Sequence, residues 1–278
     1  MPHRAAIAAP APVAIPQCGG GERRFAGELR IPCAASIGRI LGEGAAPLVD
    51  FVYPPRCPAC GDAIGAQGGL CADCWSQLSI PDGNGCSSCQ RPFAEISIEG
   101  SLCAPCLASP PIHDGIAAGT FYNDISRQLV LAFKHGGRIS LAPMMAGLIA
   151  ARLADISEDT LVVPVPLHRL RIWKRGYNQA ALLAKELVRR GHGQLLVDGL
   201  ERHRATPSLG GMGKLARAKA LSGAIRVRKG AETRVRAREI LLVDDVLTSG
   251  ATTNNCVKAL KKAGATRVTI ACFARVRD

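Results

Sequence analysis

From Gly115 onward the chain alternates short apolar runs with amphipathic stretches. Leu161-Val162-Val163-Pro164-Val165 is short, apolar and β-branched, which predicts a buried strand. Asn178 to Arg190 places Ala181, Leu182, Leu183, Leu187 and Val188 at helical spacing. Glu239 to Val243 reads as a second strand, ended by two aspartates. Thr252 to Ala263 reads as a helix with Gly264 as its C-terminal stop, and Arg267 to Phe273 as a third strand. Strand, helix, strand in this order implies parallel pairing in an α/β sheet covered on both faces. The apolar run Leu141 to Leu153 is interrupted by Pro143 and Arg152, so it predicts a soluble helix and not a membrane span.

Upstream the texture differs. Residues 1–46 are rich in Ala, Pro and Gly without periodicity and read as a disordered leader or a start codon assigned too early. Pro10, Pro12 and Pro16 break any continuous apolar helix, which argues against a secretory signal and for a cytoplasmic protein. Residues 47–111 form a cysteine-rich module and residues 112–278 the α/β part. A length of 278 residues accommodates such a division. With aromatics at 4%, Leu, Val, Ile and Ala must fill most of the core.

Eight of the twelve cysteines form CxxC pairs: Cys57/Cys60, Cys71/Cys74, Cys86/Cys89 and Cys103/Cys106. Two intervening residues make a tight knuckle that aims both sulfurs at one centre, and two knuckles give the four thiolates of a structural zinc site. All ligands being sulfur, no coordination position stays open for catalysis. Disulfides need an oxidising compartment, and a redox motif would be one pair beside a βαβ unit. Spacing alone leaves an iron–sulfur cluster open. It also leaves open whether the pairs combine sequentially or interleave; the sequential order is the preferred one. Cys256 and Cys272 fall on a predicted helix and strand, where burial as small hydrophobes is the default.

The formal net charge is +13. Nine Lys/Arg lie between Lys214 and Arg238 against one acid, Glu232. Lys214, Arg217, Arg226, Arg228 and Lys229 of this run form a candidate nucleic-acid surface; a solvated basic face is the competing reading. A second basic cluster, Arg169, Arg171, Lys174 and Arg175, follows the Leu161 strand, with Trp173 and Tyr177 interleaved for either base stacking or packing.

The sharpest motif is Ile240-Leu241-Leu242-Val243-Asp244-Asp245-Val246-Leu247-Thr248-Ser249-Gly250-Ala251-Thr252. An apolar strand runs into paired carboxylates and a hydroxyl-rich turn that opens a helix. Backbone N–H groups there, with the Thr and Ser hydroxyls, make an anion site beyond a strand end. The carboxylates would repel a phosphate unless they engage ribose hydroxyls or magnesium. The loop is neither a Walker loop nor a dinucleotide fingerprint.

This stretch resembles the phosphoribosyl pyrophosphate signature of type I phosphoribosyltransferases. From about Leu48 to the C-terminus the chain resembles the ComF competence-protein family, including the GntX-like proteins. Pro164-Val165-Pro166-Leu167-His168 and Lys174-Arg175-Gly176-Tyr177-Asn178-Gln179 are similar to that family's PVPL…RGFNQ segment, and Thr206-Pro207-Ser208 to its flexible TPSQ loop. The resemblance implies a type I phosphoribosyltransferase-like α/β fold, a mostly parallel sheet flanked by helices, preceded by a small double zinc ribbon. It implies that Asp244 and Asp245 bind ribose hydroxyls and that Thr248, Ser249, Gly250, Ala251 and Thr252 wrap the 5-phosphate. Pro166, Leu167, His168, Lys174 and Arg175 would meet pyrophosphate, with Arg175 suited to a charge-assisted contact. Leu209 and Ala220 depart from the pattern, which has glutamine and asparagine there.

Three functional expectations follow. One is magnesium-dependent transfer of phosphoribose from phosphoribosyl pyrophosphate to a base, with Asp244, Asp245 and Arg175 at the reacting centre. Another is single-stranded-DNA handling in natural competence, with the pocket kept as a sensor. The third is a ribbon that docks a protein partner.

Overall fold

The computed structural model describes residues 53–153, 156–168, 172–173, 176–204 and 223–277. The leader, Lys174, Arg175, Lys214, Arg217 and the Thr206–Ser208 segment lie outside these residues.

In the cysteine module two short helices follow knuckles: α1 (Ala72–Ser76) is capped by Cys71 and α2 (Ala104–Ala108) by Cys103. The α/β part runs β1 (Gly115–Phe121), α3 (Asp124–His135), α4 (Ala142–Ala150), β2 (Leu161–Pro164), α5 (Gln179–Arg189) and β3 (Gln194–Leu195). It continues with β4 (Leu200–Arg202), β5 (Ile225–Val227), α6 (Glu232–Val235), β6 (Glu239–Leu247), α7 (Ala251–Lys262) and β7 (Arg267–Arg275). Five strands form a sheet in the order β1-β7-β6-β2-β3, and every pairing in it is parallel. β4 and β5 form a separate antiparallel pair.

The sheet is covered on both faces, as the apolar runs require. Along β6, Ile240 and Leu242 face one core with Cys256, Val257 and Leu260 of α7. Leu241 and Val243 face the other, with Leu129 and Phe133 of α3, Met145 and Ile149 of α4, and Leu183 and Leu187 of α5. Strand periodicity of two and helical periodicity of 3.6 thus meet in the same cores. α3 begins at a capping box in which Asn123 and Ser126 satisfy each other's backbone N–H. α7 ends as read from the sequence, Gly264 taking a φ of 94° just past the last turn.

One strand runs further than the sequence predicts. β6 does not stop before the aspartates but continues to Leu247, pairing Asp244 with Cys272 and Leu247 with Arg275 on β7. Carboxylates are poor strand residues, yet the long neighbour β7 supplies ladder partners on one side, and tertiary pairing overrides local preference. On the other side β2 stops at Pro164, opposite Val243. The segment from Asp244 onward is therefore paired on one side and opens on the other to a crevice.

Strand β1 borders the sheet, and its outer edge is covered by the cysteine module. The Ala118 N–H donates to Gln90 Oε1 at 2.9 Å, and the Phe121 N–H to the Ser79 carbonyl at 2.7 Å. Asn123 Nδ2 donates to the Gln77 carbonyl at 2.7 Å, and the Arg277 guanidinium, stacked over Phe121, donates to Ser79 Oγ at 2.6 Å. An uncovered edge would leave donors unpaired and invite pairing with other chains. Gln90 holds a φ of 56°, a region unfavourable for residues with a Cβ, where the equivalent residue after the first knuckle is Gly61 at 85°. Replacing Gln90 by Ala keeps that backbone penalty and removes only the acceptor. We expect Gln90→Ala to lower unfolding free energy by about 1–3 kcal/mol in urea titrations, the cost of an unsatisfied edge N–H.

Candidate functional site

Two tetracysteine clusters are present, one of Cys57, Cys60, Cys71 and Cys74, the other of Cys86, Cys89, Cys103 and Cys106, each with its sulfurs within 4.8 Å of one another. The pairs combine sequentially. Both knuckles fold alike: the Gly61 N–H reaches the Cys57 carbonyl at 2.9 Å, and the Gln90 N–H reaches that of Cys86 at 2.7 Å. The Cys60 and Cys71 sulfurs stand 3.5 Å apart in the first cluster, and those of Cys89 and Cys103 3.6 Å apart in the second. A tetrahedral zinc with bonds of about 2.3 Å separates its sulfurs by about 3.8 Å, so both clusters fit structural zinc. Burial acts against a thiolate at Cys57, but backbone N–H donors from Cys60, Cys71 and Ala59 outweigh it and bring its pKa down to about 6. Cys86 is likewise lowered to about 6 against its burial, by N–H donors from Cys103, Cys89 and Ser88. Cys57 and Cys74 pack into the α3–α4–α5 core, and all four cysteines of the second cluster into the α7 core.

At the C-terminal edge of the sheet, Asp244 and the run from Val246 to Thr253 line one hollow. Gly250 caps α7 in the left-handed region at φ 71°, ψ 0°, which a glycine tolerates without strain. The Asn254 N–H and Thr253 Oγ1 both donate to the Gly250 carbonyl, at 2.7 and 3.0 Å, locking the turn. The hydroxyls of Thr248, Ser249 and Thr252 have no hydrogen-bond partner among the described residues, while their backbone opens a twelve-residue helix. Donors are thus gathered where a helix begins, an arrangement that suits an anion.

The carboxylates beside it occupy unequal surroundings. Asp245 is buried and forms an ion pair of 2.9 Å with Lys134 Nζ from the last turn of α3. Asp244 accepts the Asp245 backbone N–H at 2.9 Å. Burial, and then the charge of Asp245, push the Asp244 carboxyl up to about 7, although Lys134, the Asp245 N–H and Arg202 pull the other way. Lys134 was not among the residues singled out from the sequence, and Arg202 entered it only as the start of the Arg202–Ser208 segment likened to the flexible TPSQ loop. Lys134 ends a helix that carries its own signals, the Asn123/Ser126 cap and Ile125, Leu129, Val130 and Phe133 on one face. Nothing local marks its partner.

Pro166, Leu167 and His168 follow β2 at the same sheet edge, beyond the Val165 N–H to Val243 carbonyl bond of 2.8 Å. Tyr177 packs against Phe133 and donates its hydroxyl to the Phe133 carbonyl, so it supports the site by packing, whereas Trp173 is 88% exposed. Arg226 and Arg228 pair with Glu201 and Asp198 on the β4–β5 side, at 2.7 and 2.9 Å, and Lys229 is exposed. Cys256 and Cys272 are fully buried, as expected of small core hydrophobes. No helix among the described residues is long and apolar enough to cross a membrane.

A parallel sheet with this loop at its carboxyl edge, joined to paired tetracysteine centres, defines a phosphoribosyltransferase-type domain carrying a double zinc ribbon. Family comparison agrees: residues 48–112 match the double zinc ribbon domain and residues 142–278 the phosphoribosyl transferase domain. The chain is similar to competence protein F of Haemophilus influenzae, 29% identical over 79% of this chain and 96% of that protein. It is also similar to the DNA utilization protein YhgH of Escherichia coli, 29% identical over 74% and 90%. Competence protein ComFC of Bacillus subtilis is 26% identical over 70% and 79%. In both of its domains, and along most of its length, the chain is thus similar to these competence and DNA utilization proteins.

Two outcomes follow from the centres. Metal analysis of the purified chain should return two zinc atoms, falling to one in Cys86→Ser/Cys89→Ser. An acid whose pKa is raised in the fold penalises folding only when ionised, so the penalty grows as pH rises from about 4 to 7. Asp244→Asn should therefore match the wild type in stability near pH 4 and exceed it by a few kcal/mol above pH 7, read from urea titrations.

Proposed function

We propose that the Asp244–Thr252 loop binds the ribose 5-phosphate portion of phosphoribosyl pyrophosphate, together with magnesium. The observation that carries this reading is the cradle opened by Gly250, with unpartnered hydroxyls at Thr248, Ser249 and Thr252, directly beside two carboxylates. Amides and hydroxyls suit the phosphate; carboxylates suit the sugar hydroxyls, which donate to them. The described residues hold no cluster of three or more acidic or histidine ligands that could bind a metal alone. One or two carboxylates completed by phosphate oxygens is the usual magnesium arrangement, and Asp244 and Asp245 fit it. Neutralisation of charge on departing pyrophosphate is the chemistry that magnesium supplies when bound. Lys134 fixes Asp245 in place, so the ribose is oriented by a carboxylate that does not need to reorganise. Arg175 and Lys174, with Pro166, Leu167 and His168, would serve the pyrophosphate side. Transfer of phosphoribose to a nitrogenous base is the reaction this arrangement favours, in a cytoplasmic protein.

A second reading, handling of single-stranded DNA, draws support from relatives named for competence and DNA utilization. Lys214, Arg217, Arg226, Arg228 and Lys229 would contact phosphates, and the ribbon would dock a protein partner. The ion pairs of Arg226 and Arg228 reduce the free charge of that surface, which is why ligand binding comes first.

Titration with phosphoribosyl pyrophosphate should give magnesium-dependent binding that weakens at least tenfold in Asp245→Asn; absence of any binding would overturn the reading. Pyrophosphate release that requires one base from a purine and pyrimidine panel would identify the acceptor. For DNA, binding of an oligothymidine should fall steeply with salt and drop further in Arg226→Glu/Arg228→Glu/Lys229→Glu. An affinity unmoved by those reversals would remove the second reading.

A further inference from the structure

The end of the sheet opposite the Gly250 loop contains a second hollow, of about 220 Å³. It lies at the N-terminal ends of β1, β2, β6 and β7, walled by Thr160, Glu239, Arg267 and Thr269, with Arg152 beyond α4 and Ser87 of the second zinc knuckle closing it. Its lining is more polar than a gap left by imperfect packing.

Two lining groups stand out. Thr160 is 3% exposed, and its hydroxyl has no hydrogen-bond partner among the described residues. The Nε–H of Arg152 is sealed from solvent and has none either. Buried polar groups are almost always satisfied, and two orphans in one polar hollow mark a place where something else completes the bonding. The volume exceeds the roughly 30 Å³ of one water several-fold. Charge narrows the choice. Asp114, on the rim, is matched by Lys261 at 2.6 Å and by the Val268 N–H at 2.6 Å. Among the described residues, Glu239 remains to offset one of Arg152 and Arg267, which leaves a single positive charge in excess.

We propose that this hollow is a binding site for a small oxyanion of low charge, a carboxylate or a phosphate, held by the Arg152 and Arg267 guanidiniums and the Thr160 hydroxyl. A guanidinium is the side chain best matched to such planar or tetrahedral oxygens. The site is separate from the Gly250 loop and does not depend on the function proposed for it. Because Ser87 follows the zinc-knuckle residue Cys86, an occupant would touch the zinc module and the sheet at once, and would brace one against the other.

The test uses the full-length, zinc-loaded chain, titrated calorimetrically with inorganic phosphate and, separately, with lactate. Gly250→Asp serves to block the loop site, and Arg152→Gln and the isosteric Thr160→Val to impair the hollow. At least one anion should bind the Gly250→Asp protein, and that binding should weaken tenfold or more in Gly250→Asp/Arg152→Gln and in Gly250→Asp/Thr160→Val. Lactate alone binding would assign a carboxylate, phosphate alone a phosphate. The proposal is overturned if the Gly250→Asp protein binds neither anion at millimolar concentration, or if both hollow variants leave its affinity unchanged; water alone would then fill the space.

Discussion

The structure depends first on what covers the outer edge of β1. A parallel sheet has a border at each end, and here the long first strand would present open donors and acceptors to solvent. The cysteine module closes that border with the Gln90 side-chain amide and the Ser79 backbone carbonyl, and Arg277, just past β7, clamps onto Ser79. Small knuckles of this kind depend on a bound metal for much of their folding free energy. The eight sulfurs thus do more than fold a small appendage. They fix the partner that completes the sheet, and through their packing they contribute to both of its cores.

The other end of the sheet follows the opposite logic, with satisfaction withheld. β2 stops at Pro164 while β6 and β7 continue, so Asp244 and Asp245 project where a neighbouring strand is missing. Only Asp245 receives a strong counter-charge, from Lys134. Asp244 is half-buried beside a like charge, and the adjoining hydroxyls have no partners among the described residues. Polar groups left so are ones that a ligand or water can complete.

Much of this was legible in the sequence because its signals are local. CxxC spacing announces knuckles, the β-branched run Leu161–Val165 a buried strand, and Gly264 a helix end. The loop from Asp244 to Thr252 is contiguous, so its chemistry could be read from one line of text. What escaped is non-local or too weak. β1 is rich in glycine and alanine, with little strand preference of its own, and is held by β7 on one side and Gln90 on the other. β4 and β5 have three residues each, far below the length at which periodicity can be recognised. Lys134 looks like any solvated lysine at a helix end until folding brings Asp245 to it. The extension of β6 through two carboxylates runs against local propensity, and only the ladder with β7 accounts for it.

The unusual proton affinity of Asp244 has a chemical corollary. A carboxyl that keeps its proton up to about 7 is, near neutrality, partly occupied before any ligand arrives. If a cation binds there as proposed, it would have to displace hydrogen ion, so that uptake of the one would be release of the other. Acidification and metal scarcity would then act on the crevice in the same direction, each leaving the proton in possession.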